Sequence, residues 1–118
     1  MTVFEKIIKA IEPFGFPYTP GVYKGEEKYW FTFNYVDDRG NLYADDEPQS
    51  VLATVQVHFF MPYNEDFVRI KNKIRNAIFR QGFTFPEIEV LSDTDPQIRH
   101  LVFECEIEEE EDYGIYWT

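Results

Sequence analysis

Residues 29–47 read YWFTFNYVDDRGNLYADDE, and the way they fold sets the architecture of the chain. Tyr29, Phe31, Phe33 and Tyr35 alternate with Trp30, Thr32, Asn34 and Val36, the two-residue period of a strand with one aromatic face turned to a core. DDRGN then supplies turn chemistry. Residues 51–60, VLATVQVHFF, alternate again, with Val51, Ala53, Val55, Val57 and Phe59 on one side and Leu52, Thr54, Gln56, His58 and Phe60 on the other. The pattern predicts an antiparallel hairpin whose strands are joined by a long polar loop, residues 37–50. A loop of that length usually has a function. It is expected to be a mobile arm that orders against a neighbour.

Elements on either side complete a small domain. Phe4, Ile7, Ile8 and Ile11 recur at helical spacing behind a Thr2/Glu5 capping box, and Pro13 and Gly15 end that helix, residues 1–12. Residues 13–28 form a connector rich in Pro and Gly. A second helix is expected over 65–81, capped by Asn64 and closed by Gly82, with Phe67, Ile70, Ile74, Ala77 and Ile78 on its buried stripe. EIEVLS and RHLVFECEIEE give two more strands, the second with Leu101, Phe103, Cys105 and Ile107 facing inward. The expectation is one α+β domain over residues 1–118, an antiparallel sheet of about four strands with two helices on one face, in the order α-β-β-α-β-β. An acidic and aromatic tail, 109–118, closes the chain.

The chain has 118 residues, 44% of them hydrophobic and 19% aromatic, enough for a core without disulfides. Its single cysteine, Cys105, excludes an intrachain disulfide and reads as a small core residue. The first residues, MTVFEKII, lack the basic and apolar regions of a secretion signal, and no apolar run approaches a membrane span. The net charge of −11, from 22 acids against 11 bases, argues against stable nucleic-acid binding, which rests on a basic footprint. The charge is segregated: 65–81 holds five of the bases and 104–112 seven of the acids. Such segregation suits either two solvated faces or head-to-tail association.

Catalytic and cofactor signatures are weak. His58 and His100 have no HxH, HExxH or CxxC spacing around them, so neither metal nor other cofactor is expected. DDRGNLYADDEP places its glycine too early for a calcium loop and lacks the alternating oxygen ligands, so its acids read as solvated turn residues. No glycine-rich phosphate loop or nucleophile elbow is present, and an enzyme is not expected.

Three stretches, EEKYWFTFNYVDDRGNLYADDEPQSVLATVQVHFF, NEDFVRIKNKIRNAIFRQGFTF and QIRHLVFECEIEE, resemble the tail-terminator (tail-completion) proteins of long-tailed phages and prophages. The shared pattern is an aromatic strand, a loop bearing aromatic–Ala–Asp, an apolar strand ending in an aromatic pair, a helix, and a final strand ending in alternating acids. Tyr43, Ala44 and Asp45 stand at the loop motif, and Phe103, Glu104, Glu106 and Ile107 at the final strand. The resemblance spans residues 21–108. It implies a homo-hexameric ring in the virion, assembled in the host cytoplasm, that caps the tail tube, stops polymerisation of the tube protein and meets the head–tail connector protein. On that reading Arg69, Lys73, Asp45 and Asp46 are candidate interface residues. Glu104 and Glu106 would line a channel that repels DNA phosphate, or else guard a strand edge. The alternative functions are an acidic monomeric adaptor or inhibitor of a basic protein, and a glycan binder acting through Trp30 or Trp117.

Overall fold

The computed structural model describes residues 1–44, 47–92 and 94–109, with the backbone alone over 42–44 and 47–49. Helix α1 (Val3–Ile11) is followed by a 3₁₀ turn (Glu12–Phe14), then strands β1 (Tyr18–Pro20), β2 (Trp30–Ala44) and β3 (Glu47–Pro62). Helix α2 (Val68–Phe79) and strands β4 (Glu87–Ser92) and β5 (Ile98–Glu108) complete the fold. The sheet order is β1-β2-β3-β5-β4. All neighbours are antiparallel except β1 and β2, which run parallel. The α+β class is therefore as expected, but the sheet is mixed and has five strands.

The additional strand is β1, inside the connector. Its hydrogen bonds come from β2: the Phe31 N–H donates to the Pro17 carbonyl at 2.9 Å, and the Gly21 N–H to the Phe33 carbonyl at 3.1 Å. Three residues in a stretch full of Pro and Gly have no periodicity of their own. Their strand character is induced by a partner.

One sheet face builds the core. Phe31, Phe33, Val55, Val57, Phe59, Leu101 and Phe103 are fully buried, and Ile7 and Ile11 of α1 and Ile74 and Ile78 of α2 pack in the same cluster. Both helices thus lie against one face. Side chains of this size contribute about 1.5–3 kcal/mol each when sealed from water. The capping box at α1 forms as expected, the Glu5 N–H donating to Thr2 Oγ1 at 3.1 Å and the Thr2 N–H to Glu5 Oε1 at 3.0 Å.

Two expectations are corrected. Most of the expected 37–50 loop is strand: residues 37–44 and 47–50 continue β2 and β3 as a paired ribbon through Gly40↔Val51, Asn41↔Ser50, Tyr43↔Pro48 and Ala44↔Glu47, and Asp45 and Asp46 lie outside the described residues. Polar residues and a bulge between Tyr35 and Asp37 conceal these strands from a hydrophobicity reading. Helix α2 is shorter than 65–81, and Asn64 does not cap it. Asp66 Oδ1 accepts from the Val68 N–H at 3.0 Å instead. The chain before it is tied to β5, because the Tyr63 N–H donates to the Gln97 carbonyl and Arg99 Nη2 to the Tyr63 carbonyl. Gly82 does follow the helix with φ of +100°, in the region that favours glycine.

Phe31→Ala is expected to lower the unfolding free energy by about 3–5 kcal/mol, and Thr2→Ala by about 1 kcal/mol, both measured by urea titration. Equal effects of the two substitutions would contradict this placement of the core.

Candidate functional site

The sheet face opposite the helices is built of side chains set in register across the strands. Trp30, Phe60, His100 and Leu91 make one row, and Thr32, His58, Val102 and Glu89 the next. Asn34, Gln56, Glu104 and Glu87 make a third. Beyond the bulge the parity of β2 changes, so Asp37 and Arg39 come to this face beside Thr54, Glu106, Leu52 and Glu108. The face runs from an aromatic end to an acidic end.

At the aromatic end the rings stack on one another. Trp30 and Phe60 lie 4.8 Å apart at 10°, Phe60 and His100 4.2 Å apart at 21°, and Tyr23 adds to Trp30 at 5.3 Å. Gly25 leaves room for Tyr23, since a Cβ there would meet the Tyr23 hydroxyl at 2.0 Å. The stack shields Thr32 and Val102, which are only 5% and 4% exposed although no helix covers them. Trp30 stacks between Tyr23 and Phe60, and Phe60 between Trp30 and His100, so neither inner ring presents an open face to a sugar.

Asn34, His58 and His100 form a directed hydrogen-bond chain beside the stack. The Asn34 amide nitrogen donates to the Tyr35 carbonyl at 3.2 Å, which turns Asn34 Oδ1 toward His58 Nε2 at 2.8 Å. His58 Nε2 therefore carries the proton, and His58 Nδ1 accepts from His100 Nε2 at 2.7 Å. Burial, reinforced by the His100 ring, pushes the His58 imidazole down from 6.5 to about 4. The histidines, whose role the sequence left open, thus order three strands through one neutral imidazole. Among the described residues no group of three or more His, Cys, Asp or Glu is arranged to hold a metal ion.

At the acidic end Glu104 accepts from Gln56 Nε2 at 3.0 Å, and Glu106 lies 3.5 Å from Arg39 Nη2. Glu87 stands directly opposite Glu104. The alternation in EIEVLS carried the signal for Glu87 and Glu89, which the sequence reading did not single out. Tyr23, Gly25 and Asn34 carried none, because their partners are set by tertiary pairing. Cys105 belongs to the core, 3% exposed, and burial, helped by Glu104 and Glu106, pushes its thiol up to about 12.

The sequence candidates fall in three places. Glu104 and Glu106 share the open sheet face. Arg69 and Lys73 are exposed on α2, on the other side of the molecule, so a single chain does not bring them to the acids. Asp45 and Asp46, the 109–118 tail beyond Glu109, and Trp117 lie outside the described residues. No protein-family model matches the chain, and no curated protein matches it.

The depressed His58 value has a pH consequence. The unfolded imidazole takes its proton near pH 6.5 and the folded one only near 4, so between these values the unfolded chain binds more protons. Stability contributed by neutral His58 is complete above about pH 6.5 and is lost as pH falls toward about 4. Unfolding midpoints measured across that window are expected to fall more steeply for the wild type than for His58→Gln. Parallel curves would show that His58 is not coupled to folding.

Proposed function

We propose that the chain is the repeating subunit of a ring of the tail-terminator kind, a structural virion protein that caps a tail tube, stops tube polymerisation and joins the tail to the head connector. The observation that carries this reading is the β2–β3 ribbon, which runs on past the described pairing of β3 with β5. Pairing of β3 with β5 ends at Leu52↔Glu108, followed by one bond from the Glu109 N–H to the Val51 carbonyl. Pairing of β2 with β3 continues to Ala44↔Glu47, with no third strand beside it among the described residues. An isolated two-stranded ribbon is marginal in water. A ribbon that outruns its own sheet gains stability by lying on a neighbouring subunit or on the tube, as a ring subunit requires. Asp45 and Asp46 follow Ala44 in the chain and would enter that contact.

The acidic composition supports the same role. A net charge of −11 holds no phosphate backbone, which suits a ring through which DNA must pass without sticking. The acidic end of the sheet face also favours a second reading, a monomeric adaptor that binds a basic protein.

Light scattering decides between them. Six copies of the 14.1 kDa chain are the expected assembly, alone or on tail tubes, with rings visible by negative-stain microscopy. A variant in which Gly40 is joined to Val51 by a two-residue Asn-Gly turn is expected to keep its core and lose the ring. A wild-type chain that stays monomeric at every concentration, with and without tubes, overturns the ring. Retention of a basic protein by that monomer would then establish the adaptor.

A further inference from the structure

We infer that the acidic end of the open sheet face receives the basic stripe of helix α2 from a second copy of this chain. The inference rests on the ring reading and gives that ring its subunit contact. Two independent arrays carry it.

The first is the acid array. Glu104, Glu106 and Glu108 alternate along β5 on the face away from the helices, a row about 14 Å long. Glu87 of β4 stands directly across from Glu104, and Glu89 lies on the same face. Like charges placed opposite each other on a sheet repel. Arg39, carried to this face by the bulge in β2, pairs with Asp37 at 2.6 Å and reaches Glu106 at 3.5 Å. The array thus already takes a guanidinium at one end. A groove whose lining includes Phe85 as well as Thr84, Glu87, Glu104 and Glu106 runs beside it.

The second is the base array. Steps of four, three and four residues from Arg69 lead to Lys73, Asn76 and the C-cap residue Arg80, whose backbone is still helical, which places all four on one stripe along α2 and its cap, about 16 Å long. All four are exposed, and Arg69, Lys73 and Arg80 form no ion pair among the described residues. The stripe matches the β5 acid row in length and opposes it in sign. The two arrays lie on opposite sides of the sheet, so they cannot close within one chain. They can close between copies, head to tail, and a contact of that kind generates a ring when its rotation closes. This turns Glu104 and Glu106 toward a neighbouring subunit rather than toward the channel.

Reciprocal charge reversal tests the contact. Arg69→Glu/Lys73→Glu leaves both arrays acidic, and Glu104→Lys/Glu106→Lys makes two of the three positions in the β5 row basic. All four positions lie off the buried core, and circular dichroism checks that each variant remains folded. At low salt each double variant alone is expected to associate about tenfold more weakly or worse, read by light scattering. An equimolar mixture is expected to recover the wild-type mass, because each reversed array then meets its complement. Raised salt should dissociate both the wild type and the mixture. Full assembly of either double variant alone overturns the contact while leaving the ring intact. Loss of assembly without recovery on mixing overturns the pairing of these two arrays. A monomeric wild type removes the ring and the contact together.

Discussion

Phe31 and Phe59 stand opposite each other on adjoining strands, with ring centroids 4.8 Å apart and no exposure to solvent. That pair, continued by Phe33↔Val57 and, across to β5, by Phe59↔Leu101 and Val57↔Phe103, fixes the register of three strands at once. Side chains alternate along a strand, so a slip of one residue would exchange the two faces completely. Everything on the outer face inherits its position from this register. Trp30 meets Phe60 and His58 meets Asn34 because the aromatic side of the core admits one alignment.

The bulge between Tyr35 and Asp37 is the one place where that inheritance is broken. An extra residue in β2 reverses its parity, so Asp38 pairs with buried Ala53 while Asp37 and Arg39 turn to the open face. Without it Arg39 would point to the helix side and could not reach Glu106. The same bulge marks where the aromatic strand gives way to the polar ribbon, at the boundary between the core and the stretch that runs on past β5.

The two faces of the sheet therefore differ in what holds them. The helix side is closed by aliphatic and aromatic burial, and α2 presents its bases outward from that layer. The open side closes itself at one end through stacked rings and a neutral His58, and remains charged at the other. Unlike surfaces on the two sides of one chain are the arrangement that head-to-tail association uses, as in the ring proposed above.

Much of this was legible in the sequence because it rests on local chemistry. The Thr2/Glu5 box, the stripe Ile74/Ile78, the alternation of Phe31 and Phe33, and the acids of β5 are each written in a period or spacing that one element satisfies by itself. So were the α+β class and the segregation of charge between 65–81 and 104–112. What the tertiary structure alone decided depends on partners distant in the chain. Strand β1 exists because β2 offers it hydrogen bonds, and residues 37–44 and 47–50 are strands because each supplies the other's pairing despite a polar sequence. His58 and His100, 42 positions apart, meet only because β3 and β5 are neighbours in the sheet. Periodicity records which side of an element is apolar; it does not record which element lies beside it, and that pairing is settled by burial of the shared core.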